Sequence, residues 1–308
     1  MKKDLLTLDD LKKNEILKIL ELTKKLKKKP IGNQLKGKIF CLFFEKPSTR
    51  TRISFATGIQ QLGGGIVYLD KTKSQLSRGE TLQDTARVLD RYADAVIARV
   101  YLHKTLEIMS ECMNAHVINA LSDLTHPCQI LSDLFTIQER FGYLKGLKLA
   151  YVGDGNNVCN SLLLGCTKMG MDISVACPKG YEPNRKIIQL AKRYSKVSKS
   201  RIKIERDPKN AVKNADIIYN DTFVSMGEEK ERKKRLKIFL PKYQVNSKLL
   251  KYAQPDVIYM HCLPAHRGEE VTDEVIDGPH SIVFDQAENR LHTQKALLSL
   301  MVGRRILI

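Results

Sequence analysis

The chain has 308 residues, 43% hydrophobic and 28% charged, with a formal net charge of +18. That length exceeds what one hydrophobic core usually serves, so two domains are expected, in a composition typical of soluble globular proteins. No apolar stretch approaches the roughly 20 residues of a membrane span, and Met1-Lys2-Lys3-Asp4 lacks a signal peptide's apolar core, so no membrane partner and a cytoplasmic location are expected.

The positive charge is spread over helix faces, densest at Lys24–Lys29 and Lys230–Lys237, with no aromatic stacking platform beside it. Charge of that kind predicts solubility and attraction to anions, not a specific nucleic-acid partner. The seven cysteines form no C-x-x-C pair, so neither a disulfide framework nor a structural zinc site is expected; most read as small buried hydrophobes. The histidines show no metal-ligand spacing such as H-E-x-x-H, and no metal is read.

In chain order, residues 4–29 read as a helix or helix pair, with lysines opposite the leucine stripe. The run Ile39 to Phe44 is a buried strand that stops at Glu45-Lys46-Pro47, and a helix follows, with Ile53, Phe55, Ala56, Ile59 and Leu62 on one side. Between them, Ser48-Thr49-Arg50-Thr51-Arg52 packs three hydroxyls and two guanidinium groups into five residues. A strand, a tight turn and a helix start leave backbone N–H groups that attract an anion, and arginine forks fit phosphate or carboxylate. The alternative is a plain N-cap with two solvated arginines.

Gly63-Gly64-Gly65 ends that helix, and Ile66–Leu69 is a strand. After a polar loop from Lys71 to Glu80 come a helix (Thr81–Tyr92), a strand (95–98) ending in Arg99, a helix (105–113), a strand (117–120) and a loop carrying His126-Pro127-Cys128-Gln129. The next helix, to about Phe141, bridges to a second domain. There, strands at 147–152, 173–176, 202–205, 216–219, 257–260 and 282–284 alternate with helices, and a helix from about 286 to 301 closes the chain. The fold class is therefore α/β: two domains, each a mainly parallel sheet flanked by helices.

Ligands of open α/β sheets collect beyond the carboxyl ends of strands, where several polar clusters fall here: Ser48–Arg52, Arg99, His126–Gln129, Gly153–Asn157, Asp221–Gly227 and His261–Pro264. Gly153-Asp154-Gly155-Asn156-Asn157-Val158 lacks the third glycine of a dinucleotide fingerprint, and no acidic residue ends the next strand. Its asparagines have two readings, helix caps or amides offered to a polar substrate. Arg99 is either a surface end-of-strand charge or a cation aimed at the anion site, and His126 either a satisfied loop histidine or a donor to a carbonyl oxygen. Cys262 lacks the partners of a protease-like triad and reads as a positioned polar group near a substrate amine.

Taken together, these clusters resemble the ornithine carbamoyltransferases of the aspartate/ornithine carbamoyltransferase family along essentially the whole chain. The resemblance rests on S-T-R-T-R at 48–52, Gln75 within S-Q-x-x-R-G-E, Arg99, H-P-C-Q at 126–129, Asn157, Asp221 with Ser225-Met226-Gly227, H-C-L-P at 261–264 and Arg290. S-M-G together with H-C-L-P separates ornithine from aspartate as the acceptor.

The resemblance implies transfer of a carbamoyl group from carbamoyl phosphate to the δ-amino group of L-ornithine, without a cofactor, giving L-citrulline and phosphate. By position, Ser48, Thr49, Arg50 and Thr51 should hold the phosphate. Arg99, His126 and Gln129 should bind carbamoyl and phosphate oxygens, with Arg290 nearby and Cys262 and Leu263 beside the reacting centre. Asn157, Asp221, Ser225 and Met226 should bind ornithine, Asp221 and Cys262 being candidates to help deprotonate its amine. Gln75 should reach a neighbouring subunit's site, because the family is built on trimers. The implied domains are 1–140 for carbamoyl phosphate and 141–285 for ornithine, with 286–308 returning to the first. The S-M-G loop is expected to close over ornithine. The rival readings are another amine acceptor (aspartate, putrescine or acetylornithine) and a basic nucleic-acid-binding protein.

Overall fold

The computed structural model describes residues 1–225 and 227–303. A short 3-10 turn, Leu8–Asp10, precedes helix α1 (Lys13–Lys28); strand β1 (Ile39–Phe44) leads into α2 (Thr49–Gln61), then β2 (Gly65–Asp70). Two 3-10 turns fill the polar loop, followed by α3 (Leu82–Tyr92), β3 (Ala95–Arg99), α4 (His103–Cys112), β4 (His116–Leu121) and α5 (Pro127–Phe141). These strands form a parallel sheet of order β2-β1-β3-β4. β1 and β3 are continuous apolar runs because helices cover both faces of a parallel sheet. The edge beyond β4 is closed by the N-terminal segment, where Leu5 exchanges backbone hydrogen bonds with Val117 and Asn119.

The second sheet begins with β5 (Lys148–Val152), α6 (Asn157–Met169), β6 (Asp172–Ala176), α7 (Arg185–Ser198) and β7 (Ile202–Glu205). It continues with α8 (Pro208–Val212), β8 (Ile217–Asn220), α9 (Arg232–Phe239), α10 (Ser247–Leu250), β9 (Ile258–His261) and α11 (Asp273–Ile276), and the last helix is α12 (Val283–Met301). The order is β7-β6-β5-β8-β9, again all parallel. The strand expected at 282–284 does not form. Ser281 makes one bridge to Tyr259, and Val283 already opens α12, because Ile282 accepts the helical bond from Gln286.

The chain divides into two compact units, one from Met1 to Phe135 plus Glu288 onward, the other from Thr136 to Ala287. The divisions fall inside α5 and α12, so each crossing is a continuous helix. Within the first unit, α12 is tied to α2 and to the segment after α1 by a buried lysine: Lys295 Nζ donates to Gln61 Oε1 at 2.8 Å and Pro30 O at 3.0 Å. Among the described residues no helix is long and apolar enough to cross a membrane.

Candidate active site

In each sheet the strand order reverses direction at one place, and connections leave to opposite sides there, opening a crevice at the carboxyl ends. In the first unit that place lies between β1 and β3. β1 ends into Glu45-Lys46-Pro47-Ser48, and Ser48 is the N-cap of α2, its Oγ accepting from Thr51 N–H at 3.3 Å. β3 ends with Arg99, which is buried rather than a surface charge. Glu45 braces the crevice by accepting from Tyr101 N–H at 2.7 Å and from Lys71 Nζ at 2.9 Å.

Arg290, on α12, reaches this cluster. Its Nη1 donates to Gln129 Oε1 at 2.5 Å and its Nη2 to Thr51 Oγ1 at 3.2 Å, while Gln129 Nε2 donates to Asp133 at 2.8 Å. His126, buried beside them, has its pKa held well below the usual imidazole value, first by loss of water and then by Arg290, Arg99 and Lys46. Its ring is therefore neutral and keeps one N–H to donate. Three buried cations around a neutral imidazole form a pocket of positive potential at a helix N-terminus, suited to a small dianion.

The remaining residues of the S-T-R-T-R run separate by exposure. Thr51 is buried, Ser48 and Arg50 are half-buried, and Thr49 and Arg52 are exposed. Arg52 lies over the Tyr68 ring, 3.8 Å from its centroid, which makes it a brace on β2. Gln75 is exposed in the 3-10 turn Gln75–Arg78.

In the second unit the crevice lies between β5 and β8. The loop after β5 needs both its glycines. Gly153 has φ of +144°, and a Cβ on Gly155 would sit 2.2 Å from Pro183 N. The loop's shape is thus set by close approach of backbone. Asn156 rather than Asn157 is the N-cap of α6, its Oδ1 accepting from Val158 and Cys159 N–H, and its Nδ2 donating to Asp221 Oδ2 at 2.8 Å. The two readings of the asparagines thus describe one side chain, a cap whose amide also holds the acid. Which asparagine caps, and what its amide holds, is decided by β5 and β8 being neighbours.

Asp221, buried just beyond β8, accepts on Oδ1 from Thr222 N–H at 2.8 Å and from the Cys262 thiol at 3.1 Å. Cys262 follows β9, the next strand, so sheet order joins residues 41 apart in sequence. Leu263, at φ +57°, donates its N–H to His261 Nδ1 at 2.9 Å.

Ser225 lies in the loop after Asp221, its N–H bound to Glu228 Oε2 at 3.0 Å; Met226 lies outside the described residues. Arg235 on α9 pins that loop, donating to Phe223 O at 3.1 Å and Asp154 Oδ2 at 2.8 Å and pairing with Glu228. Burial pushes the Asp154 carboxyl up to about 6 although Arg235 pulls the other way. The pairing of Arg235 with Asp154 carried no sequence signal, since an arginine in a lysine-rich run reads as solvated.

Two groups of side chains also have their ligand-type atoms within 4.8 Å of one another: Asp221 with His261 and Cys262, and His266 with Glu269 and Glu270. The first is brought together by the pairing of β8 with β9, and the second lies within five residues of the loop after β9.

Two doubly flanked parallel sheets, each with buried polar groups at its reversal point, define a two-domain α/β protein built to bind small polar molecules. The chain belongs to the aspartate/ornithine carbamoyltransferase family: residues 3–139 match its carbamoyl-P binding domain and residues 145–301 its Asp/Orn binding domain. It is 52% identical over 305 residues to the ornithine carbamoyltransferase of Pyrococcus horikoshii, covering 98% of this chain and 96% of that one. It is also 52% identical over 300 residues to that of Bacillus subtilis, covering 97% and 94%. The solved structure of ornithine carbamoyltransferase from Pyrococcus furiosus is similar with a TM-score of 0.93 at 52% identity, over 97% of this chain and 96% of that one. An anabolic ornithine carbamoyltransferase from Campylobacter jejuni gives 0.92 at 41% identity, over 97% and 99%.

Proposed function

We propose that the protein transfers the carbamoyl group of carbamoyl phosphate to the δ-amino group of L-ornithine, giving L-citrulline and phosphate. Identity of 52% along nearly the whole of a relative with that name carries the reading. A neutral amine attacks the carbamoyl carbon, a C–N bond forms, the C–O bond to phosphorus breaks, and phosphate leaves with the electron pair. The proton that the amine gives up ends on the departing phosphate.

Negative charge grows on the carbonyl oxygen during the attack, so donors fixed beforehand lower the barrier. Arg99, His126 and Gln129 are assigned that task, with Arg290 holding Gln129 in place. A neutral imidazole donates to the oxygen without surrendering its proton. Ser48, Thr49, Arg50 and Thr51 take the phosphate at the start of α2. Asn157, Asp221, Ser225 and Met226 take the amino-acid end of ornithine, and Cys262 and Leu263 flank the reacting carbon. The thiol of Cys262, bound to Asp221, is suited to orient the incoming amine; a Cys262→Ser enzyme with an unchanged pH–rate profile and ornithine affinity would remove that role.

Residues 1–140 are proposed as the carbamoyl phosphate domain, 141–285 as the ornithine domain and 286–308 as a return to the first. The working unit is a cytoplasmic trimer, with Gln75 serving the neighbouring site and the loop after Asp221 closing over ornithine. The 53% identical ornithine carbamoyltransferase of Pyrococcus furiosus is called anabolic, which supports a place in arginine synthesis.

Steady-state kinetics test the reading. Citrulline should form from carbamoyl phosphate and ornithine, and not with aspartate, putrescine or acetylornithine as acceptor. Arg50→Ala should lower kcat/KM for carbamoyl phosphate by about tenfold or more, as expected for loss of a charged hydrogen bond. Turnover of another acceptor in place of ornithine would overturn it.

A further inference from the structure

We infer that His266, Glu269 and Glu270 form a binding site for one divalent transition-metal ion of the zinc class, beside the turn that carries Cys262 and Leu263. The three residues offer one imidazole nitrogen and two carboxylate oxygens within 4.8 Å of one another. Glu270 is the centre of the argument. It is fully buried, and its Oε1 is engaged, accepting from His266 N–H at 2.5 Å. Its Oε2 is buried without a hydrogen-bond partner and lies 3.8 Å from His266 Nδ1.

That separation is too long for a hydrogen bond and close to the spacing of two ligands on one ion. With metal–ligand distances near 2.0–2.2 Å, tetrahedral donors stand roughly 3.4 Å apart. Glu269 Oε2 is likewise buried without a partner, its other oxygen being paired to Arg232. The charge balance points the same way. Arg232 pairs with Glu269, no lysine or arginine among the described residues pairs with Glu270, and His261 Nε2 stands 3.3 Å from its Oε1, outside hydrogen-bond geometry. His261 Nδ1 is itself engaged, accepting from Leu263 N–H at 2.9 Å. A fully buried carboxylate with no paired cation is costly, and an adjacent second carboxylate adds to the cost. A cation between them removes both.

The donor set chooses the class of ion. One imidazole nitrogen with two carboxylates suits zinc, cobalt or manganese, whereas calcium and magnesium take oxygen cages. The His266 side chain is 43% exposed, which leaves a way in and a coordination position for water. Glu270 also faces His261, and His261 holds the Leu263 N–H, so the ion would steady the turn from behind.

The test is equilibrium dialysis of the chelator-treated full-length protein against Zn²⁺, read by elemental analysis, with Co²⁺ absorption in parallel. The expected result is one equivalent of Zn²⁺, weakened about tenfold or more in His266→Gln and in Glu269→Gln, and retained in Cys262→Ser. The Co²⁺ spectrum should lack a thiolate charge-transfer band. Both glutamine variants change partly exposed side chains, and circular dichroism checks their folding. No bound Zn²⁺, or binding that is lost in Cys262→Ser and kept in His266→Gln, would overturn the inference; the latter would assign the ion to Asp221, His261 and Cys262.

Discussion

His126 shows how a single residue's surroundings decide its chemistry. Burial and the cations Arg290, Arg99 and Lys46 all oppose protonation, so the folded pKa lies well below that of the unfolded chain, about 6.5. Two outcomes follow at this scale. Replacing His126 by Asn should lower kcat on the order of 10²–10³-fold in the citrulline assay, the usual loss for one donor to a developing oxyanion. The sign of its effect on stability is also set. Below about pH 6.5 the unfolded chain takes up a proton that the folded ring refuses, so His126 costs stability as pH falls. Urea titrations at pH 7 and pH 5 should therefore show a smaller acid loss in His126→Asn than in the parent; an equal loss would mean the ring is not shielded. Arg52 illustrates the opposite case, a residue inside the S-T-R-T-R run whose guanidinium stacks on Tyr68. Motif membership and side-chain direction are different facts.

At the scale of elements, α12 is the helix on which the first unit depends. Lys295 is fully buried, and loss of water pulls its pKa down to about 8. Below pH 8 the folded protein carries a buried ammonium, stabilised by Pro30 O and Gln61 but still short of its hydration. Between about pH 8 and 10.4 the unfolded chain holds a proton that the folded chain has released, so this group adds stability as pH rises, on the order of 1–3 kcal/mol in all. Lys295→Met should abolish that rise in denaturation measured at pH 8 and pH 9.5, and an unchanged slope would refute the assignment. In the second unit, Phe223 stacks on Phe239 at 4.7 Å and Arg235 ties Phe223 O to Asp154, so the start of the loop after Asp221 is anchored, while Ser225 and Gly227 further along donate their N–H groups to Glu228 and Glu229.

For the whole molecule, the proposed closure and assembly are each open to one decisive measurement. Hydrogen exchange at 222–231 should slow when carbamoyl phosphate and a non-reactive ornithine analogue are both present, and remain fast with either alone; no added protection would exclude closure by this loop. If Gln75 serves a neighbour's site, Gln75→Ala and Arg50→Ala proteins are each impaired, yet mixed and reassembled they contain some sites with both residues intact. Activity of the mixture should then exceed the sum of its parents, and strict additivity would place Gln75 in its own subunit's site. The net charge of +18 belongs to this scale too: it predicts weak, salt-sensitive attraction to polyanions and no sequence preference.

Much of this was legible in the chain itself, for a physical reason. Strands buried on both faces must be apolar runs such as Ile39 to Phe44, and the helices between them must carry a stripe, so alternation announces two parallel sheets. Anion-binding residues at a helix start need particular side chains in a short stretch, which is why Ser48 to Arg52 stands out. Local pattern fails where partners are brought together by strand order. The contact of Asn156 with Asp221, the thiol of Cys262 on the same carboxylate, the reach of Arg290 to Gln129 and Thr51, and the pairing of Arg235 with Asp154 all join residues far apart in sequence. Residues 282–284 show the same limit in reverse: an apolar triplet has no period of its own, and the hydrogen bonds of α12 decided that it would begin a helix. Sequence alone determined which chemistry the chain can offer; the order of strands in each sheet decided which groups meet to perform it.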